Sequence, residues 1–222
     1  MAVMRLRSRL LRPRPSAAQV LWGVLALLAV IVAIRAYWLF WPHPISLRSV
    51  TLDFVPVGRL DGELLRDIAE RTAQVYGVPY RLATEAMPLP EDALEVPTGK
   101  YRADGVLGKL KHRRTGRGVH RLGITEADVS IEDWNFVFGL AETPGSTAVM
   151  SLAKLRPKRS SRESDALLRD RAVKIAVHEL GHTFGFRHCS DERCVMCYTE
   201  TAAGLDVTEE IFCAKCRSRF RR

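Results

Sequence analysis

Residues 178–197 read HELGHTFGFRHCSDERCVMC and crowd three histidines, two glutamates and three cysteines together. No other stretch limits the fold as tightly, because side chains that share a metal ion must converge at short, fixed distances. His178 and His182 are four residues apart, so on a helix both project from one side, a spacing at which two imidazoles bind one ion. Gly185 can take positive φ without steric cost, so the helix can stop and the chain reverse. That reversal brings His188 to the same ion as a third ligand. Three protein ligands leave one position open for water, which marks a catalytic rather than a structural zinc.

All five cysteines fall between 189 and 216. An odd, clustered set argues against a disulfide framework and for a second metal site. Spacing alone favours Cys194, Cys197, Cys213 and Cys216, a C-x2-C-x15-C-x2-C pattern of the zinc-ribbon kind that strands Cys189.

The rest of the chain supplies the scaffold. With 222 residues, 47% of them hydrophobic, it can build one domain with a proper core. SVTLDFVPV (49–57) reads as a buried strand, and Asp61 caps a helix over 62–76 that ends before Gly77. PYRLATEA (79–86) reads as a second strand, 88–100 as a loop, and 101–112 as a short helix. HRLGITEADV, NFVFGLA and TAVMSLAKL are three further strand candidates, with PGS (144–146) turning between the last two. Ser160 and Glu163 form a capping box for the helix that carries the histidines, whose inner face is Val173, Ala176, Val177, Leu180 and Phe184. Strands alternating with helices and closing on a hairpin predict an α/β fold with a mixed sheet.

At the N-terminus, AAQVLWGVLALLAVIVAI (17–34) is interrupted only by Gln19 and is followed by Tyr37, Trp38 and Trp41, an interfacial aromatic belt. The expectation is a transmembrane signal anchor over 17–41, after a basic flank (1–16) and before a stiff linker (42–47) that contains WPHP. The soluble domain then covers 48–222. Five arginines before the span place the N-terminus in the cytoplasm, make the lipid bilayer a partner and put the catalytic domain outside. The net charge of +9 does not point to nucleic acid, since no basic run is interleaved with base-stacking aromatics. Solvated loops and the membrane flank account for it. No pattern in the chain indicates an oligomeric state.

The ligand run also resembles the metzincin metallopeptidases, whose pattern is HExxHxxGxxH followed by a methionine turn. Within them it resembles the archaemetzincins, through His188-Cys189, Cys194-Val195-Met196 and Cys213-Ala214-Lys215-Cys216. VTLDFVPVGRL, LGITEADV and NFVFGLA are similar to family segments, and the resemblance covers about residues 48–217, with the N-terminal anchor a departure from it. It implies a compact domain with a mixed twisted sheet, an active-site helix and a C-terminal zinc-binding segment. It implies two zinc ions per chain, one catalytic on His178, His182 and His188, the other structural on Cys189, Cys194, Cys213 and Cys216 with Cys197 spare. The expected activity is hydrolysis of a peptide or protein substrate through a zinc-bound water, with Glu179 as general base. Met196 would form the methionine turn. Tyr198 sits where some metzincins place a tyrosine that assists the transition state, but a core tyrosine is the preferred reading of the position. NFVFGLA is the candidate for the strand that edges the cleft. The alternative is a catalytically silent, zinc-stabilised module that grips a peptide or partner; the presence of Glu179 favours the enzyme.

Overall fold

The structure is a computed structural model that describes residues 16–40, 44–113, 116–132, 137–157 and 161–221. It comprises two units, Met1–His43 and Pro44–Arg222. In the first, the apolar run forms α1 (Ala17–Phe40), whose side chains are described over residues 17–33 and at Arg35. This corrects the expected anchor: among the described residues no helix is long and apolar enough to cross a membrane. Arg35 also stands inside the helix rather than past its end. The transmembrane part of the expected fold class, the bilayer as partner and the single-pass placement with an extracytoplasmic domain fall with it. The basic flank up to Pro15, Trp41 with most of WPHP, Ser160 and the first two residues of NFVFGLA lie outside the described residues, as do the side chains of Tyr37 and Trp38.

The second unit begins with β1 (Ile45–Ser46), inside the stretch expected as linker, and β2 (Thr51–Val57). Asp61 then caps α2 (Gly62–Tyr76) by accepting a hydrogen bond from the Leu64 amide, and Gly77 at φ 66° ends it. β3 (Tyr80–Leu82) is shorter than the strand expected over 79–86. The expected loop holds a 3₁₀ turn (Glu91–Ala93) and β4 (Leu94–Glu95), which pairs with β5 (Lys100–Arg102) ahead of α3 (Ala103–His112). β6 (Val119–Thr125), β7 (Val129–Ser130), β8 (Gly139–Ala141) and β9 (Thr147–Ser151) follow. The long helix α4 (Arg162–Thr183) starts from a capping box made by Ser161 and Ser164, one residue beyond the expected Ser160 and Glu163. Two short helices, α5 (Ala202–Val207) and α6 (Ala214–Arg217), and β10 (Phe220–Arg221) complete the chain.

The main sheet has the order β3-β2-β6-β9-β8, with β8 antiparallel to β9 and the other pairs parallel. Strands buried on both faces require cover on both sides, and β2 and β9 are such strands. Leu52, Phe54, Leu122, Ile124 and Met150 pack with α2 and α4 on one face, while Val55, Val57 and Val149 pack with α3 on the other. β1 pairs with β10, so the two ends of this unit close on each other. Because β8 ends the sheet order, its outer edge is left without a strand partner among the described residues, next to α4.

Candidate metal centre and active-site cleft

His178 and His182 lie on the last turns of α4. The helix stops at Phe184, with Gly185 at φ 80°. The Gly185 amide donates to the His182 carbonyl at 2.8 Å and the Phe186 amide to the Gly181 carbonyl at 3.1 Å. This is a Schellman termination, in which only glycine takes the left-handed residue without strain. Phe186, buried beyond the turn, anchors the reversed chain. The reversal carries His188 back, and ligand nitrogens of His178, His182 and His188 come within 4.8 Å of one another. His178 Nε2 and His182 Nε2 are 3.0 Å apart. Two nitrogens at about 2.0 Å from one tetrahedral ion would be about 3.3 Å apart.

The protonation chemistry of these rings suits a cation. His178 Nδ1 donates to the Val195 carbonyl at 2.8 Å and His182 Nδ1 to the Phe186 carbonyl at 2.9 Å. Each proton is thereby fixed on Nδ1, leaving the Nε2 lone pair turned inward. Burial pushes His178 down to about 3, helped by the neighbouring His182 and His188 rings and opposed by the bond to Val195. Burial lowers His182 and His188 as well. Neutral imidazoles converging in this way fit zinc.

Glu179 is on the same helix, buried, and burial pushes its carboxyl up to about 8. It joins the three histidines in the wall of a 420 Å³ cleft. Gly139 on β8 makes its seat: a Cβ there would stand 2.6 Å from Glu179 Cγ, Cδ and Oε1. Val137, Phe138, Leu140, Ile175 and Leu205 make much of the cleft apolar, while Thr143, Thr199 and Glu200 add polar groups. Tyr198 does not enter the core. It is 46% exposed, lines the cleft, lies with its ring 4.9 Å from that of His188 and donates to Glu200 at 3.1 Å.

Met196 is fully buried beneath α4. A Cβ at Gly181 would meet its Sδ at 2.4 Å, so the glycine within HELGH allows the turn to approach. The preceding carbonyl, Val195, is the one that holds His178, and the Met196 carbonyl accepts from the Cys189 amide at 2.8 Å. The Sγ atoms of Cys189, Cys194, Cys213 and Cys216 lie within 4.8 Å of one another, with 3.9 Å between Cys189 and Cys213. Sulfurs at about 2.3 Å from a tetrahedral zinc would be about 3.8 Å apart. Cys197 lines the cleft instead, so the set suggested by spacing alone does not assemble.

Sequence reasoning passed over several supporting residues. Tyr76 donates to the Val177 carbonyl at 2.7 Å from within the core. His120 bonds Thr183 at 2.7 Å and stacks on Phe184 at 3.9 Å, bracing the end of α4. Arg219 donates to the Gly185 carbonyl at 3.3 Å and lies 4.2 Å from the Phe186 ring centroid, tying β10 to the reversal. The glycines carried a signal, since a glycine inside a helix or strand often marks close approach. Tyr76, His120 and Arg219 carried none.

A family model described as peptidase family M54 matches residues 80–222. An archaemetzincin of Haloquadratum walsbyi is 34% identical over 169 residues, 74% of this chain and 96% of that protein. The crystal structure of archaemetzincin from Methanopyrus kandleri superposes with a TM-score of 0.67 at 31% identity, covering 81% of this chain and 94% of that one. That of archaemetzincin from Archaeoglobus fulgidus complexed with malonate gives 0.66 at 27% identity, covering 77% and 99%.

Proposed function

The chain belongs to peptidase family M54, the archaemetzincins, and is a zinc metallopeptidase of the metzincin type; from that premise we propose that Glu179 is the general base and that the chain works with two zinc ions. His178, His182 and His188 hold the catalytic ion, and Cys189, Cys194, Cys213 and Cys216 hold a structural one. The catalytic domain is the stretch 48–222. The observation that carries the reading is the juxtaposition in one cleft of Glu179 with three imidazoles, two of which have their Nδ1 protons committed to backbone carbonyls.

Zinc, when bound, polarises the peptide carbonyl and lowers the pKa of its water to about 7. Glu179 takes the proton of the attacking water and delivers it to the leaving amine. Its apolar seat against Gly139 keeps the carboxyl at a fixed position and raises its proton affinity, so it can serve in both directions. A nearby cation opposes that rise, which suits a base working near neutrality. β8 offers its open edge to an extended peptide, whose backbone amides and carbonyls it can pair while side chains enter the apolar cleft. Tyr198 lines the same cleft beside His188, and its hydroxyl can donate to the developing oxyanion.

The test is to incubate the zinc-loaded chain and its Glu179→Ala variant with a diverse peptide library and identify products by mass spectrometry. Cleavage by the parent alone supports the assignment. Equal cleavage by parent and variant rules out Glu179 as the base.

A further inference from the structure

We propose that a second cavity, on the α3 face of the main sheet, binds a small divalent oxyanion of the phosphate class. The cavity has a volume of 460 Å³, and its charged and polar walls are Asp53, Arg81, Thr84, Arg113 and Arg121. Asp53 and Arg121 are register partners on β2 and β6. They alternate with Leu52, Phe54 and Leu122, which face α4, and share the face of Val55 and Gly123, which meets α3. The sheet therefore separates this cavity from the three histidines, and the inference does not rest on the catalytic reading.

Charge is the reason for a ligand. Three guanidinium groups surround one carboxylate. Asp53 accepts from Arg81 Nε at 2.7 Å and from Arg121 Nε at 2.8 Å, so its single charge is divided between them. Arg121 is 5% exposed and spends its NH1 group on the carbonyls of Leu110 and Arg113 at the end of α3. Arg113 makes no ion pair among the described residues and faces the same space. Two positive charges are left over in a concave site, where low-dielectric walls strengthen both their mutual repulsion and their pull on an anion. A dianion cancels that excess; a lone carboxylate leaves half of it. Guanidinium forks match phosphate oxygens in pairs, and the Thr84 hydroxyl adds a neutral donor.

The experiment titrates inorganic phosphate into the zinc-loaded full chain at constant ionic strength, set with sodium chloride, and follows binding by calorimetry and by phosphorus NMR line width. The comparison variants are Arg81→Gln and Arg113→Gln. Both side chains are partly exposed; Arg81→Gln removes one donor to Asp53 but leaves its bond to Arg121, and Arg113→Gln keeps the backbone carbonyl that accepts from Arg121. Saturable one-to-one binding is expected in the parent, with a thermal midpoint raised by about 3 °C at ten times Kd. Each variant weakens it at least tenfold and leaves peptide cleavage in phosphate-free buffer unchanged. Absence of saturable binding by the parent up to 10-millimolar order, or equal binding by parent and both variants, overturns the proposal. The second of those results would place the phosphate elsewhere, the histidine site included.

Discussion

Replacing Gly139 by alanine adds one methyl group to β8 and tests whether that strand positions Glu179. The added Cβ would stand 2.6 Å from Glu179 Cγ, Cδ and Oε1, against an ordinary contact that begins at 3.4 Å. The carboxylate must therefore retreat by about 0.8 Å, or β8 must move outward by as much. A displacement near 1 Å at a reacting group costs about 100-fold in rate, or about 2.7 kcal/mol of barrier. Stability changes less. Overpacking costs about 1–3 kcal/mol, offset by about 0.5–1 kcal/mol from removing a strand glycine, and β8 lies at an edge that can yield. The expected result is a fall of about 100-fold in kcat with KM nearly constant, the signature of a contact made chiefly in the transition state. Zinc content at the histidines stays at the parent value, and Tm drops by only a few degrees. Gly108→Ala, in α3 where an added Cβ meets nothing within 4 Å, is the control. It should gain about 1 kcal/mol of stability and retain full activity. A folded, zinc-replete Gly139→Ala enzyme with the parent kcat would refute the placement of Glu179 by β8.

Cys213→Ala removes one sulfur from the four-cysteine group and should lower zinc affinity at the histidines by about 10- to 100-fold, as changes to groups that orient ligands do; unchanged chelator competition at that site would sink the coupling. The Asp53 carboxyl is opposed by burial, but hydrogen bonds from Arg81 and Arg121 outweigh it and hold its pKa below the usual range. A depressed folded pKa contributes stability that is complete above the unfolded value of about 3.9 and is lost as pH falls through the folded value. Asp53→Asn should flatten the acid limb of the stability curve below about pH 4 and cost about 3 kcal/mol at neutral pH by stranding Arg121; parallel acid limbs in urea titrations of the two proteins would contradict this.

What the sequence made legible was local. The i, i+4 histidines, the Gly185 reversal, and the Asp61 and Gly77 ends of α2 follow from helix geometry within a few residues, and all are present. The cap of α4 shifted by one residue because adjacent serines offer two registers, and the Ser161–Ser164 pair closes its box. β3 is short because its pairing with β2 ends at Leu82, a tertiary limit that β propensity does not encode. Spacing points to Cys197 and the family resemblance to Cys189; the Sγ of Cys189 is the one that lies with those of Cys194, Cys213 and Cys216, where the Cys189–Met196 backbone bond turns the chain. The roles of Gly139 and Gly181 belong to contacts between elements far apart in sequence. The apolar N-terminal run does form the helix α1, but among the described residues no helix is long and apolar enough to cross a membrane.

The two ligand groups are mechanically one object. His188 and Cys189 are joined by a peptide bond, Cys189 is bonded to Met196, and Val195, beside Met196, orients His178. Met196 in turn lies against Gly181, between Leu180 and His182 on α4. A displacement of the cysteine cluster is therefore transmitted to His188 through the peptide bond, to His178 through the hydrogen bond from its Nδ1 to the Val195 carbonyl, and to His182 through the packed turn below it. Arg219 closes the loop from the other side by holding the Gly185 carbonyl at the reversal. Such a circuit reduces the freedom that three separate histidines would lose on binding an ion. On the two-zinc reading proposed above, it also ties metal affinity at the histidines to the folding of the last forty or so residues, because structural zinc binding contributes directly to folding free energy. On that reading the C-terminal segment contributes to the catalytic site in energetic terms, although none of the four clustered sulfurs (Cys189, Cys194, Cys213 and Cys216) lines the cleft.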